Sequence, residues 1–496
     1  MAIINTNIGA INAQASLSRV NTDMETAMER LSTGMRINSA KDDSAGMAIA
    51  EKMTSQIMGL NQAVRNANDG KNLLDTTEGA QVEVSSMLQR LRELAVQSSN
   101  DTNTAGDRGN ISAEGSQLIT EINRVATDTT FNGMKILDGT FTGKQLQIGA
   151  DTGQTIEVHV DSVHTTEIGA QTLSTQVKIN QATVDDAQAT NGIAQEDLKI
   201  TGHTGSTTVV GTANMSAKDL AAAVNKVSAS TGVDATAETN VKLSGLTGTG
   251  NITFKVNGES IGEVAVTDTT DLRGLRDAIN NKAGTTGVTA KMGDDNSQII
   301  LTDKLGNDIK ISEYADNAAT DSDMTVTALD RDGNSDGTSI VTLAGTGAAG
   351  SDSATVVGQV EFTSMKAFSV GGENAGADVD FLDADSNTSS LSKVSDIDLT
   401  TAEGASKAIK VLDVALSKVS QSRSDLGAVS NRLDSTISNL TNITVNVEAA
   451  RSQIADADFA KESSDLARGK ILSQAATSML AQANASNQNV LSLLRG

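Results

Sequence analysis

Three histidines, His159, His164 and His203, are the only imidazoles in 496 residues, and imidazole is the group that most readily exchanges a proton near neutral pH. Their spacing offers no chemistry. None falls in a His-Glu-x-x-His arrangement and no carboxylates cluster tightly around them, so neither a zinc site nor an acid–base pair is expected. All three read as residues of polar strand or loop surface. The stretch "DRDGNSDG" places Asp330, Asp332 and Asn334 at the first three ligand positions of a calcium loop. However, Ser335 stands where such a loop needs glycine and Val341 where it needs a bidentate glutamate, so the segment reads as a solvated turn. "GENAG" and other glycine-rich fragments lack the strand-to-helix context and the lysine of a phosphate loop. The chain has no cysteine, which excludes thiol nucleophiles, disulfides and zinc-thiolate sites. No enzyme activity, cofactor or metal is expected.

Composition narrows the classes further. The 38 basic and 62 acidic residues leave a net charge of -24, the wrong sign for nucleic acid, whose phosphates call for Lys and Arg. Seven Phe, one Tyr and no Trp leave few aromatic faces to stack bases or sugars. Residues 141–399 carry -20 of that charge, residues 1–140 carry -5, and residues 400–496 carry +1. A middle so acidic demands water, while near-neutral ends tolerate close approach to copies of themselves. Proline is absent, where about 25 would be usual, so slow X-Pro isomerisation does not delay refolding. The start "MAIINTNIGAINAQASLSRV" has no basic stretch followed by an apolar one, and nowhere do 18 apolar residues run together. Neither a cleaved signal peptide nor membrane insertion is expected.

The elements with the clearest pattern are at the ends. Leu412, Val419, Leu426, Leu433, Leu440 and Val447 recur every seven residues, interleaved with Ile409, Leu416, Arg423, Ser430, Ile437 and Thr444. Alternating spacings of three and four predict a coiled coil. Burying those six Leu and Val side chains at about 1.5–3 kcal/mol each supplies roughly 9–18 kcal/mol gross, which requires a partner helix. A second run follows at Leu472, Ala476, Met479, Ala483, Ser486, Val490 and Leu493, so the apolar tail "NQNVLSLLRG" reads as the end of a seam. Near the start, Leu17, Met24, Met28, Leu31 and Met35 keep helical spacing, as do Met53, Ile57, Leu60, Val64 and Ala67. After a slip near Gly70 the pattern resumes at Val84, Leu88, Leu91 and Ala95, and Ile111, Leu118, Ile122 and Val125 predict a shorter helix. Between the first two runs "INSAKDDSAG" breaks the helix, with Asn38 or Ser39 as the expected cap.

The middle is different. "KQLQIGADTGQTIEVHV" reads as strand, turn, strand. "SAKDLAAAVNKVSASTGVDA" and "DTTDLRGLRDAINNKAGTTGVTA" each place a short helix before Thr-Gly-Val, at Thr231 and Thr286, 55 residues apart. Alternating segments such as "LKITG", "ITFKVNG" and "SQIILTD" flank them. Two small α+β units are expected, followed by Gly-, Ser- and Asp-rich strands to about residue 395.

Both ends resemble bacterial flagellin. The words that carry the likeness are "INTNIGAINAQ", "RLSTGMRINSAKDDSAGMAIAEKM", "NDGKNLLDTTEGA", "MLQRLRELAVQSSN" and "FNGMKILDG" at the start. At the end they are "LGAVSNRLDSTISNL", "AARSQIADADFAKESSDLARGKIL" and "ANASNQNVLSLLRG". Together they span about 1–145 and 395–496. The resemblance implies an α+β multidomain fold in which N- and C-terminal α-helical coiled-coil domains pair with each other and β-rich α+β middle domains project outward. The implied boundaries are 1–43 (inner-tube helix), 44–175 (coiled-coil helices and a β-hairpin region), 176–395 (outer domains), 396–450 (C-terminal coiled-coil helix) and 451–496 (C-terminal inner-tube helix). Within the outer domains, repeat units fall at about 197–247 and 250–304, followed by 305–395.

The implied function is a structural subunit, secreted through the flagellar type III apparatus, that self-assembles into the extracellular filament used for motility. Its implied partners are other copies of itself, an export chaperone on the C-terminal segment, and the junction and cap proteins. A hook-filament junction protein of the same superfamily is the alternative, with a filament-displayed adhesin acting through the middle domains as a third. "LQRLRELAVQ" also resembles the stretch read by Toll-like receptor 5, with matching positions Gln89, Arg90, Leu94 and Gln97 and, in the next helix, Glu114. Arg90 and Glu114 beside an apolar Leu94 make a reasonable hot-spot composition. The terminal Val490, Leu491, Leu493 and Leu494 resemble the segment read by cytosolic inflammasome sensors.

Overall fold

The computed structural model describes residues 6–182, 190–195, 197–293, 295–316, 322–345, 352–372, 382 and 388–493, with backbone alone for 182 and 486–493. Its helices are α1 (Ile8–Thr33), α2 (Ser44–Ser98), α3 (Ala105–Asp128), α4 (Ala217–Lys226), α5 (Ser228–Thr231), α6 (Arg273–Asn280), α7 (Ala283–Thr286), α8 (Ala402–Ala455) and α9 (Phe459–Leu493). The chain divides into two compact units. One holds Met1–Thr76, Thr142–His159 and Asp425–Gly496, and the other Thr77–Phe141 and Val160–Ser424.

In the first unit α1 runs antiparallel to α9. The side-chain amide of Asn7 donates to the Ala483 carbonyl at 3.2 Å, Arg30 pairs with Glu462 at 3.2 Å, and the Arg36 N–H donates to the Ala455 carbonyl at 2.7 Å. Asn7 also caps α1, its Oδ1 accepting from the Ala10 N–H at 2.9 Å. Gly34 ends the helix with φ 73, a left-handed conformation that costs glycine little. The cap of α2 is Asp43, whose carboxylate accepts from the Gly46 N–H at 2.9 Å. Asn38 and Ser39 do not serve as that cap. They lie in the preceding turn, where their N–H groups donate to Asp42.

The first unit also pairs the start of α2 with the end of α8. Leu60 and Ala63 pack on Leu440, and Lys71 meets Asp434 at 2.7 Å. A hairpin, Lys144–Gln147 against Thr155–Val158 with Lys144 opposite Val158, lies beside this pair. Gly70 is buried; a Cβ there would collide with Leu146 of the hairpin and come within 3.6 Å of Leu433. The seam therefore passes through Gly70 without a slip. Gly70, Leu74, Thr77, Gln81, Val84, Leu88, Leu91, Ala95 and Ser98 are buried at alternating spacings of three and four.

In the second unit the remainder of α2 packs on the start of α8 and on α3. Gln81 donates to the Ser422 hydroxyl at 3.0 Å within the buried seam, and Arg92 pairs with Asp413 at 2.5 Å. Alternating with Leu412, Val419 and Leu426, the buried positions are Ala408, Ala415 and Ser422. Ile409, Leu416 and Arg423, expected there from their spacing, are half-buried instead. Small side chains let the helices approach more closely than Ile or Leu would allow. A capping box between Thr104 and Asp107 opens α3, and Gly115 brings it against Leu399 and Leu91.

The middle domains hold two apolar cores. One gathers Leu198, Ile200, Leu220, Val224, Val360 and Phe362 under α4, and the other Phe254, Leu275, Ile279, Ile299 and Leu301 under α6. The 55-residue repeat has a structural basis. Asn225 in α4 exchanges two hydrogen bonds with the backbone of Ala235, at 2.9 and 2.8 Å, and Asn280 in α6 does the same with Ala290, at 2.8 and 2.7 Å. In each copy the buried threonine, Thr231 or Thr286, accepts from the N–H two residues on, and the glycine after it adopts φ 72 or φ 75. The copies are nonetheless fused. Strand Val233–Ser244 begins in the first core at Val233 and ends in the second at Leu243, pairing on the way with Gln359–Ser364 and Ile299–Asp303. Asn280→Ala strands a backbone N–H and C=O at the edge of the second core. It is expected to cost about 2 kcal/mol, visible as a lower middle-domain Tm, whereas Asn280→Asp keeps one acceptor and should lose less.

Candidate functional site

A helix is held in water mainly by the apolar face it buries. By that measure α1 and α9 are poorly provided. The only buried residue of α1 is Ala27, with Ala13, Leu17, Val20, Met24 and Leu31 half-buried against α9. The α9 face toward α1 carries Glu462, Leu466, Gly469, Ser473, Ala476, Leu480 and Ala483, which is largely small or polar. Other large apolar side chains of α9 look elsewhere: Phe459, Ile471, Leu472 and Met479 are exposed, as are Ile8, Ile11 and Met28 on α1 and Met35 just after it.

The positions singled out in the sequence thus fall into different environments. Leu412, Leu433, Val419, Leu426 and Leu440 are buried, and Val447 is half-buried. Leu17, Met24 and Leu31 face α9, but Met28 is 55% and Met35 48% exposed. Leu472 and Met479, at 47% and 65% exposed, do not lie on the face toward α1. The seam inside one chain takes the smaller stripe beside them, because only small residues let a helix backbone come close. Val490, Leu491 and Leu493 continue α9 with only their backbone described, and Leu494 lies outside the described residues. Ile8, Ile11, Phe459 and Ile471 escaped the sequence reading. Ile471 could have been found as the immediate neighbour of Leu472, which doubles the width of the apolar stripe.

The patch on α2 and α3 is charged. Arg90 donates to Glu114 at 3.0 and 2.9 Å and to Glu93 at 3.0 Å. The Glu114 hydrogen bonds, followed by those to Glu93, hold its guanidinium pKa above the ordinary arginine value. Gln89, Gln97 and Glu114 are exposed beside it. Leu94 is not part of that surface. At 1% exposed it faces the helical core, because it sits three residues after Leu91 on the buried stripe, and a side chain so covered offers nothing to an outside partner.

The calcium-like loop closes on itself. Asp330 Oδ1 accepts from the N–H groups of Asp332 and Asn334 at 2.8 and 2.7 Å, and Asp332 pairs with Lys407. His164 lies 3.3 Å from the Asn123 side-chain oxygen. Among the described residues no group of three or more His, Cys, Asp or Glu is placed to hold a metal ion, and no helix is long and apolar enough to cross a membrane.

One partly buried carboxyl in the middle domains is strongly raised in pKa. Burial pushes Asp308 up to about 6, against the hydrogen bond it accepts from Asn191 at 2.9 Å. A carboxyl whose folded pKa is raised takes up protons on folding, so its contribution favours the folded state at low pH and is lost as pH rises from about 4 through about 6. Asp308→Asn removes that loss. It is expected to stabilise the middle domains at pH 8 by about 2–3 kcal/mol and to change little at pH 4, a contrast that thermal melts at the two pH values read directly.

Long helices with uncovered apolar stripes, attached to β-rich domains with their own cores, define a self-associating structural protein. Residues 4–142 match the family profile described as the bacterial flagellin N-terminal helical region, and residues 409–494 match the C-terminal helical region. The repeated segments 197–249 and 251–304 each match the flagellin hook IN motif. The chain is 36% identical over 493 residues to a B-type flagellin of Pseudomonas aeruginosa, covering 99% of both. It is also 36% identical over 520 residues to a flagellin of Salmonella typhimurium, again covering 99% of both. A solved structure of FliC from Burkholderia pseudomallei is 19% identical, with 73% of this chain and 99% of that one covered and a TM-score of 0.29. The chain belongs to the bacterial flagellin family.

Proposed function

We propose that this flagellin is a structural subunit that assembles with copies of itself into the extracellular flagellar filament, and that assembly completes the burial that its terminal helices lack. The observation that carries the reading is α1, a helix of 26 residues with one buried residue, Ala27. Among the described side chains, eight large apolar ones on α1, α9 and the adjoining residues stand exposed. Covering each for only half of the usual 1.5–3 kcal/mol yields roughly 6–12 kcal/mol per subunit, enough to offset the cost of ordering and association. In this reading residues 1–43 and 451–496 line an inner tube, the coils of 44–175 and 396–450 surround it, and residues 176–395 face outward with their negative charge.

The finer partners belong to the same proposal. An export chaperone would cover the apolar end of α9 before assembly, and junction and cap proteins would meet the same stripe at the filament ends. The exposed Gln89, Arg90, Gln97 and Glu114 are the proposed face for Toll-like receptor 5, and Val490, Leu491, Leu493 and Leu494 the tail for inflammasome sensors. Purified chain, heated, cooled and seeded with short filament fragments, should give sedimentable filaments of constant diameter. Finite oligomers would point to a junction protein instead, and persistent monomer would overturn both.

A further inference from the structure

Methionine is unevenly exposed in this chain. Among the described residues the exposed ones are Met28, Met35, Met47, Met58, Met134 and Met479, all from the helical ends and the short hairpin after α3. From residue 160 to residue 395 none is exposed: Met215, Met292 and Met365 are half-buried and Met324 is fully buried. Met28 on α1, Met35 in the turn after it and Met479 on α9 each stand uncovered, whereas Met24, four residues before Met28, is turned toward Gly469 of α9.

We propose that these exposed thioethers are a modification site for peroxide-class oxidants, and that their oxidation blocks the subunit from joining a filament. The inference rests on the assembly reading above. In the step, a sulfur lone pair of Met28, Met35 or Met479 attacks one oxygen of hydrogen peroxide. The S–O bond forms as the O–O bond breaks, the departing hydroxide takes the proton from the oxygen now on sulfur and leaves as water, and the thioether loses two electrons to become a sulfoxide. A flexible apolar side chain thereby gains a strong dipole and a hydrogen-bond acceptor. On an exposed surface that costs the lone subunit nothing, but burial against a neighbouring helix leaves the acceptor without a partner. The damage is therefore silent in the monomer and disabling at the interface. No cysteine is present to compete for the oxidant, which leaves the thioethers as the chain's most easily oxidised groups. A subunit already in the filament has its stripe covered and is protected.

The test uses the full chain, hydrogen peroxide, and peptide mass spectrometry alongside seeded polymerisation. Treated monomer should carry sulfoxide at Met28, Met35 and Met479 but not at Met324, keep its far-UV circular dichroism, and polymerise about tenfold more slowly or worse. Reduction by a methionine sulfoxide reductase with a dithiol should restore the untreated rate. Preformed filaments given the same peroxide should show little sulfoxide at Met28 and Met479. The variant carrying Met28→Leu, Met35→Leu and Met479→Leu should polymerise equally with and without treatment. Treated wild-type chain that polymerises at the untreated rate despite sulfoxide at these three positions overturns the proposal, as does a leucine variant that peroxide still blocks. Untreated chain that fails to polymerise onto seeds overturns the assembly reading instead, and the two failures are read from separate lanes.

Discussion

Leu433→Asp is expected to dismantle the coil of the first unit. Leu433 is fully buried, and its Cδ1 lies 3.6 Å from where a Cβ of Gly70 would stand, so the leucine fills the space that a missing side chain leaves. Removing it forfeits the transfer energy and opens a cavity, about 2–5 kcal/mol for such a truncation. The aspartate then adds an unpaired charge in the seam, which costs several kcal/mol more or forces the helices apart to admit water. A total loss of about 5 kcal/mol or more is anticipated, comparable with the whole stability of a small domain. It should appear as helical signal lost in a separate, earlier denaturation step while the β-rich domains keep theirs. Lys71→Ala is the contrasting case on the same stretch. Its ion pair with Asp434 is substantially exposed, and pairs of that kind contribute about 0–1 kcal/mol. Equal effects from the two substitutions would mean that the seam is not where the helices hold together.

The comparison between sequence and structure turns on size as much as polarity. Leu412, Val419, Leu426, Leu433 and Leu440 announce a coil because large apolar residues stand out every seven positions. Ala408, Ala415, Ser422, Gly70 and Gly115 do not, although burial is as complete at the first two as at the leucines. Their role is to be small, and smallness in a single sequence is indistinguishable from indifference. The same limit hid the continuity of α2 across Gly70, where Thr77 and Gln81 interrupt the apolar pattern yet are fully buried. In the middle, the Asn225 and Asn280 words repeat because each closes a local helix-to-strand turn, and local chemistry leaves local traces. The strand Val233–Ser244 pairs with partners more than 50 residues away and serves two cores at once. No neighbouring residue encodes that choice, so two separate units were the natural reading and a fused pair is what the packing makes. Leu94 shows the opposite error. Its position in a familiar word suggested a surface contact, while its place three residues after Leu91 on the buried stripe already implied the core.

The α9 helix poses this ambiguity most sharply, and it sets the second large prediction. Two stripes run along it: a small, mixed one through Gly469, Ser473, Ala476 and Ala483, and an apolar one through Ile471, Leu472 and Met479. Within one chain the first faces α1 and the second faces outward. Leu472→Asp combined with Met479→Asp should therefore leave the single chain almost untouched, within about 0.5–1 kcal/mol, since Met479 is largely and Leu472 about half exposed there. Assembly should be lost altogether. Each interface of a helical polymer recurs at every subunit, so two charges without partners are introduced per added copy and repel the next. Ala476→Asp should show the reverse order, weakening the α1–α9 pair in the monomer before any neighbour is involved. Circular dichroism on the single chain and sedimentation after seeding separate the two. A double variant that still forms filaments would mean that the outward stripe of α9 is not what the copies bury.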